Sequence, residues 1–197
     1  MATSFSAELW RARAWKRFER AIRRGEDKER ATRTWTVDVA YIAPMGHLIA
    51  WCYERGIDVK FVTRGGGVYY PEDKVIKISG RIRPMSQLHF LLHECGHHLI
   101  GDRDKRERFG MGYNQVDHPN IKRTFHHRVD IVDEEFEAWQ RGWKLAQRLG
   151  LRISKVDYDR TRVEMLRTYM KWALKVDGYG KEDDDDDEDE NTEASTG

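Results

Sequence analysis

His93-Glu94-Cys95-Gly96-His97 sets two histidines four residues apart with a glutamate between them. In an α-helix this spacing puts both imidazoles on one face, with Cβ atoms about 5–6 Å apart, close enough to share one zinc ion. The glutamate then lies beside the metal, where its carboxylate can take a proton from zinc-bound water. That is the arrangement of a zinc-dependent peptidase, with His93 and His97 as metal ligands and Glu94 as the catalytic base. A box with three fixed positions arises easily by chance, so its flanks must decide. Pro84 suits a first helical turn and Gly101 a C-terminal cap, which frames a helix of about 17 residues. Leu88, Leu92, Cys95 and Leu99 recur at spacings of four, three and four, forming a buried stripe on a different side from the histidines. Gly96 lowers helix propensity but permits close approach of a neighbouring element.

A catalytic zinc takes three protein ligands and keeps one position open. The extended box H-E-x-x-H-x-x-G-x-x-H is absent, because Ile100 and Arg103 stand where Gly and His are required. The remaining source is the cluster Asp133-Glu134-Glu135-Phe136-Glu137-Ala138-Trp139. On a wheel of about 100° per residue, Glu135 centres on the stripe of Trp139, Ala146 and Leu149, whereas Glu137 shares its side with Arg141, Lys144 and Arg148. A carboxylate on a packing face needs a partner, and a metal is one. Glu135 is therefore the expected third ligand, with Glu134 and His118 as alternatives, and Glu137 is a surface partner for Arg141. His98 points about 100° away from His97 and is not expected to ligate. His89, one turn before His93, either lines the cleft or packs.

Several elements must position these groups. Leu9, Trp10, Ala14, Phe18, Ala21 and Ile22 predict a basic amphipathic helix over residues 7–24, read first as a docking helix with a solvated face. Residues 26–34 read as a polar link. A second helix is expected over Pro44–Arg55, ended by Gly56. Then Ile57, Val59 and Phe61 alternate as a half-buried strand. Gly65-Gly66-Gly67 reads as a structural turn and not a phosphate loop, since no Lys-Ser/Thr pair follows it. Val68–Tyr70 and Val75–Ile78 make two short strands around Pro71-Glu72-Asp73-Lys74. A strand just before a zinc helix can offer a free edge on which a peptide pairs. Two further helices are expected: Val132–Leu149, with Phe136, Trp139, Trp143, Ala146 and Leu149 inward, and Val156–Val176, with Val163, Leu166, Met170 and Ala173 inward and Ser154 as cap. Residues 101–130 read as a long polar loop, in which Tyr113, His118, His126 and His127 are candidate donors to the substrate oxyanion.

The chain has 197 residues, 35% of them charged, and only two cysteines, Cys52 and Cys95. One of these lies in the box itself, so a disulfide scaffold is not expected and a reducing, cytoplasmic setting fits best. No transmembrane helix and no secretory signal are expected. The net charge of +1 divides into −9 over residues 181–197 and +10 over residues 1–180. Asp183–Glu190 is an unbroken acidic run and reads as disordered. The expected organisation is a basic N-terminal helix and link (1–34), an α+β domain (35–180) with about three strands packed on the His-box helix, and an acidic tail (181–197).

The succession of helix, Gly56, short strand, tyrosine-containing hairpin, Val75-Ile76-Lys77-Ile78, Leu92-His93-Glu94-Cys95-Gly96-His97 and Glu135-Phe136-Glu137-Ala138 resembles the ImmA/IrrE family of gluzincin-type metallopeptidases, which includes relatives in phages. The resemblance covers roughly residues 45–150. It implies a zincin-like fold, a zinc cofactor, Glu135 as the third ligand and cleavage of one specific protein substrate, such as a transcriptional regulator. The chain departs from the family pattern at Trp139, where Asn or Asp is expected. A rival reading is a zinc-stabilised regulatory protein that binds a protein regulator or nucleic acid through its basic body without turnover, with the acidic tail as an autoinhibitory mimic of a polyanion.

Overall fold

The computed structural model describes residues 6–63, 65–108 and 124–174. Its elements are α1 (Ala7–Arg23), α2 (Lys28–Ala40), α3 (Ile42–Tyr53), β1 (Asp58–Val62), β2 (Gly67–Tyr70), β3 (Val75–Ser79), α4 (Pro84–Arg108), α5 (Phe125–Arg148) and α6 (Lys155–Leu174). The architecture is α+β, with a mixed three-stranded sheet ordered β1-β3-β2. β1 runs parallel to β3 with Val59 opposite Ile76, and β2 runs antiparallel to β3 with Tyr69 opposite Ile76. The turn at Pro71–Lys74 joins β2 to β3, leaving β2 as an edge strand.

The core forms where the period-two residues of the sheet meet the stripe of α4. Ile57, Val59, Phe61, Ile76 and Ile78 are buried with Leu48, Cys52, Leu88, Leu92 and Cys95. Trp10 of α1 joins the same core, its ring edge-on to Phe61 at 5.0 Å, so the basic helix docks as its apolar face predicts. Leu9 and Ile22, at the margins of that face, stay exposed. No helix among the described residues is long and apolar enough to cross a membrane.

Several expectations change. Lys28–Ala40 is a helix where a polar link is predicted for residues 26–34. Asp27 caps it by accepting from the Arg30 N–H, and its inward side carries Ala31 and the buried Asp38, whose carboxylate takes Arg17 at 3.1 Å and Arg83 at 3.1 Å. An ion-paired aspartate in place of an apolar residue is what hides this helix from a hydrophobic pattern. α5 begins at Phe125, seven residues before the predicted Val132, because Thr124 accepts from the His127 N–H as an N-cap. The predicted loop of 101–130 is correspondingly shorter. On α6, Val163 and Met170 are exposed, and Tyr158 and Thr161 join Leu166 and Ala173 inward. Phe136 of α5 is likewise exposed.

Gly101, with φ 74° and ψ 157°, breaks α4 where a cap is predicted, and a second helical segment follows it to Arg108. Val176, the acidic run Asp183–Glu190, Tyr113 and His118 lie outside the described residues.

Candidate metal centre

α4 and α5 cross with backbone against backbone. A Cβ on Gly96 would stand 1.9 Å from the Ala138 carbonyl oxygen, and one on Gly142 would stand 2.5 Å from that of Leu92. The missing side chain predicted to admit a neighbour does so here, and the neighbour is the helix that carries Glu134 and Glu135.

The crossing sets Glu135 against both histidines. Its carboxylate lies 3.1 Å from His93 Nε2 and 3.4 Å from His97 Nε2, and the two Nε2 atoms are 3.2 Å apart. One donor atom from each residue falls within 4.8 Å of the others, a group that could hold a metal ion. Zinc bonds of about 2.0–2.2 Å in a tetrahedron subtend donor–donor edges of about 3.3–3.6 Å, close to the separations found. Two imidazoles and a carboxylate are also the right donor chemistry for such a cation.

Glu134 and Glu135, adjacent in sequence, take different parts. The His97 Nδ1–H donates to Glu134 Oε1 at 3.1 Å, so Glu134 reaches the outer nitrogen of the imidazole whose inner nitrogen faces Glu135. A carboxylate on the outer nitrogen of a ligating histidine fixes its tautomer and orientation. The structure therefore brings Glu135, not Glu134, to the donor group. Glu137 pairs with Arg141 at 2.7 Å as the wheel predicts. His98 turns aside, its Nδ1 2.9 Å from the Tyr69 hydroxyl. His89 is fully buried and packs instead of lining the cleft, its Nδ1 2.9 Å from Thr161 Oγ1.

The charges of the cluster are mutually adjusted. Burial alone would lower the pKa of His97, but hydrogen bonds to Glu134 and Glu135 raise it to about 10. Burial would raise Glu135, yet the two histidines hold its carboxyl well below the usual range. A divalent cation on His97 would have to displace a proton from it, so its uptake is coupled to proton release. Burial raises the pKa of Glu94, with His93 and His97 pulling the other way. A buried carboxylate beside a metal group is placed to act as a proton acceptor.

A cleft of about 150 Å³ opens onto this group, lined by Gly67, Val68, Tyr69, His93, Glu94, His97, Glu135 and Tyr169. Four of these, Gly67, Val68, Tyr69 and Tyr169, are not among the site residues expected from the sequence, although a strand edge beside the zinc helix is. Gly67, expected to serve the turn alone, touches Glu94: a Cβ there would stand 2.7 Å from Oε1. The Tyr69 backbone N–H donates to the Glu94 carboxylate, so edge strand β2 borders the site. Tyr169 arrives from α6, half-buried, with its hydroxyl directed at Glu135. Burial raises its pKa, and the carboxylates of Glu135, Glu94 and Glu134 act in the same direction. No apolar periodicity or motif marks Tyr169. Of the other donor candidates, His126 is exposed and His127 packs edge-on against Trp172 at 6.3 Å; neither lines the cleft.

Comparison with family models, with curated proteins and with solved structures gives no match to this chain. What can be said of the site therefore stands on its own geometry.

Proposed function

We propose that the protein is a zinc-dependent peptidase of zincin-like type that cleaves an extended segment of a specific protein substrate. The observation that carries this reading is the place of Glu94. It is buried beside the His93, His97 and Glu135 group, in a cleft bordered by a strand edge. A merely structural metal site is closed by a fourth side chain and has no use for a basic carboxylate at an open position. The resemblance to the ImmA/IrrE family points the same way, and on that basis the substrate is a regulator protein.

When bound, zinc would act as a Lewis acid on the scissile carbonyl and lower the pKa of water held beside it. The chain's own residues do the rest. Glu94 takes a proton as the water oxygen adds to the carbonyl carbon. It returns that proton to the amide nitrogen as the C–N bond breaks, leaving a carboxylic acid and an amine, which settle as carboxylate and ammonium by transfer of the remaining proton. The Tyr69 N–H holds the Glu94 carboxylate in place, and the outer edge of β2 offers main-chain groups on which a substrate strand can pair. Val68 and Tyr70 are exposed along that strand and accessible to substrate side chains.

The test is to incubate zinc-loaded protein with a proteome-derived peptide mixture and identify new termini by mass spectrometry. Cleavage that a chelator abolishes and added zinc restores is the expected result. Absence of any zinc-dependent new terminus would overturn the reading.

A further inference from the structure

We propose that the Tyr169 hydroxyl donates the hydrogen bond to the carbonyl oxygen of the bound substrate, making α6 a working wall of the cleft. The proposal rests on the peptidase reading above and deepens it. Addition of water to a peptide carbonyl places negative charge on its oxygen, and a fixed donor aimed at that oxygen lowers the barrier.

Among the described side chains that line the cleft, elimination leads to one donor. Among the residues lining the cleft, His93, His97 and Glu135 form the metal group and Glu94 is the base. Gly67 and Val68 carry no polar side chain, and the Tyr69 hydroxyl is held 2.9 Å from His98 Nδ1. Among the described residues, Tyr169 is the lining side chain that remains with an O–H to offer. It is half-buried, which keeps competing water partly away, and its hydroxyl points to Glu135, hence to the space the metal group addresses. A peptide paired along β2 reaches that space. The phenol turns from the carboxylate to the substrate oxygen and keeps its proton throughout, so no bond to Tyr169 forms or breaks.

The packing of α6 explains how a residue so late in the chain is held there. The Tyr158 hydroxyl donates to the Trp139 carbonyl at 2.8 Å, Thr161 meets His89, and the Arg128 guanidinium donates to the Ala173 carbonyl at 3.3 Å. Tyr169 thus lies on a helix fastened to α4 and α5 on both sides of it. α6 falls beyond residues 45–150, so this contribution belongs to the present chain and not to the resemblance.

A rival role for Tyr169, merely orienting Glu135, makes a different forecast for metal affinity. The experiment loads the full chain with Co²⁺ and titrates it with acetohydroxamate, following the visible spectrum of the cobalt. Tyr169→Phe removes one oxygen from a half-buried ring. It is expected to bind Co²⁺ as the parent does and to bind acetohydroxamate about 10- to 100-fold more weakly, the range for losing one hydrogen bond to a charged group. Unchanged hydroxamate affinity in Tyr169→Phe would overturn the proposal, and so would loss of cobalt affinity or failure of the parent to bind hydroxamate at all. The titration needs no turnover, so it is judged apart from peptide cleavage. Cleavage without a Tyr169 effect sinks this inference alone.

Discussion

Trp139 lies flat against His93, with ring centroids 4.4 Å apart and planes 20° apart. His93 Nδ1 is buried and meets no hydrogen-bond partner among the described residues, so the stack orients this imidazole where a carboxylate orients His97. Trp139 also stands where the pattern of the family that the sequence resembles has Asn or Asp. An aromatic face thus replaces the polar brace expected there. We expect Trp139→Leu, which keeps apolar volume without the stack, to weaken zinc binding about 10- to 100-fold, the usual cost of losing a residue that orients a ligand. Trp139→Phe should retain most of the affinity. Competition with a chromogenic chelator measures both, and equal affinity in the Leu variant would show that the ring only fills space.

Glu134 and Glu135 give a second contrast. Glu135→Ala removes a donor atom and should abolish stoichiometric zinc binding, whereas Glu134→Ala loosens His97 and should cost about 10- to 100-fold in affinity. Calorimetric titration separates the two. The reverse order would make Glu134 the ligand and Glu135 its neighbour's support.

His89 predicts how stability responds to acid. Burial lowers its pKa from 6.5 to about 4, partly opposed by Asp157. The folded state therefore resists a proton that the unfolded chain accepts. The neutral-histidine stability is complete above pH 6.5 and declines as pH falls toward 4, by on the order of 3 kcal/mol in all. Urea unfolding of the full chain at pH 7.5 and pH 4 measures the slope. His89→Asn should be less sensitive to pH over this interval, and an identical slope in both proteins would assign the acid response to other groups.

Much of this architecture can be read along the chain, because the inward residues of α3, β1, β3 and α4 repeat at the period of their own element. The box and Glu135 are legible for the same reason: each lies on a helix whose apolar stripe fixes its rotation. What cannot be read depends on contacts between distant segments. α2 hides because its inward face carries Asp38, apolar in neither type nor pattern, and the arginines that neutralise it come from α1 and from the turn before α4. Gly67 looks like turn chemistry until Glu94 is found against it. Tyr169 has no local signal, since only the docking of α6 on α4 and α5 brings it to the cleft. Glu134 and Glu135 differ by about 100° on the helix, too little for a wheel to say which nitrogen each one meets.

The measurement that bears most directly on the central claim compares the parent chain with Glu94→Gln for zinc content and peptide cleavage side by side. The substituted amide keeps the shape of the side chain but cannot accept the proton. The account expects about one zinc per chain in both proteins, with cleavage in the parent and at least a roughly 100-fold loss in the variant. A Glu94→Gln protein that holds its zinc and still cleaves at the parent rate would contradict it.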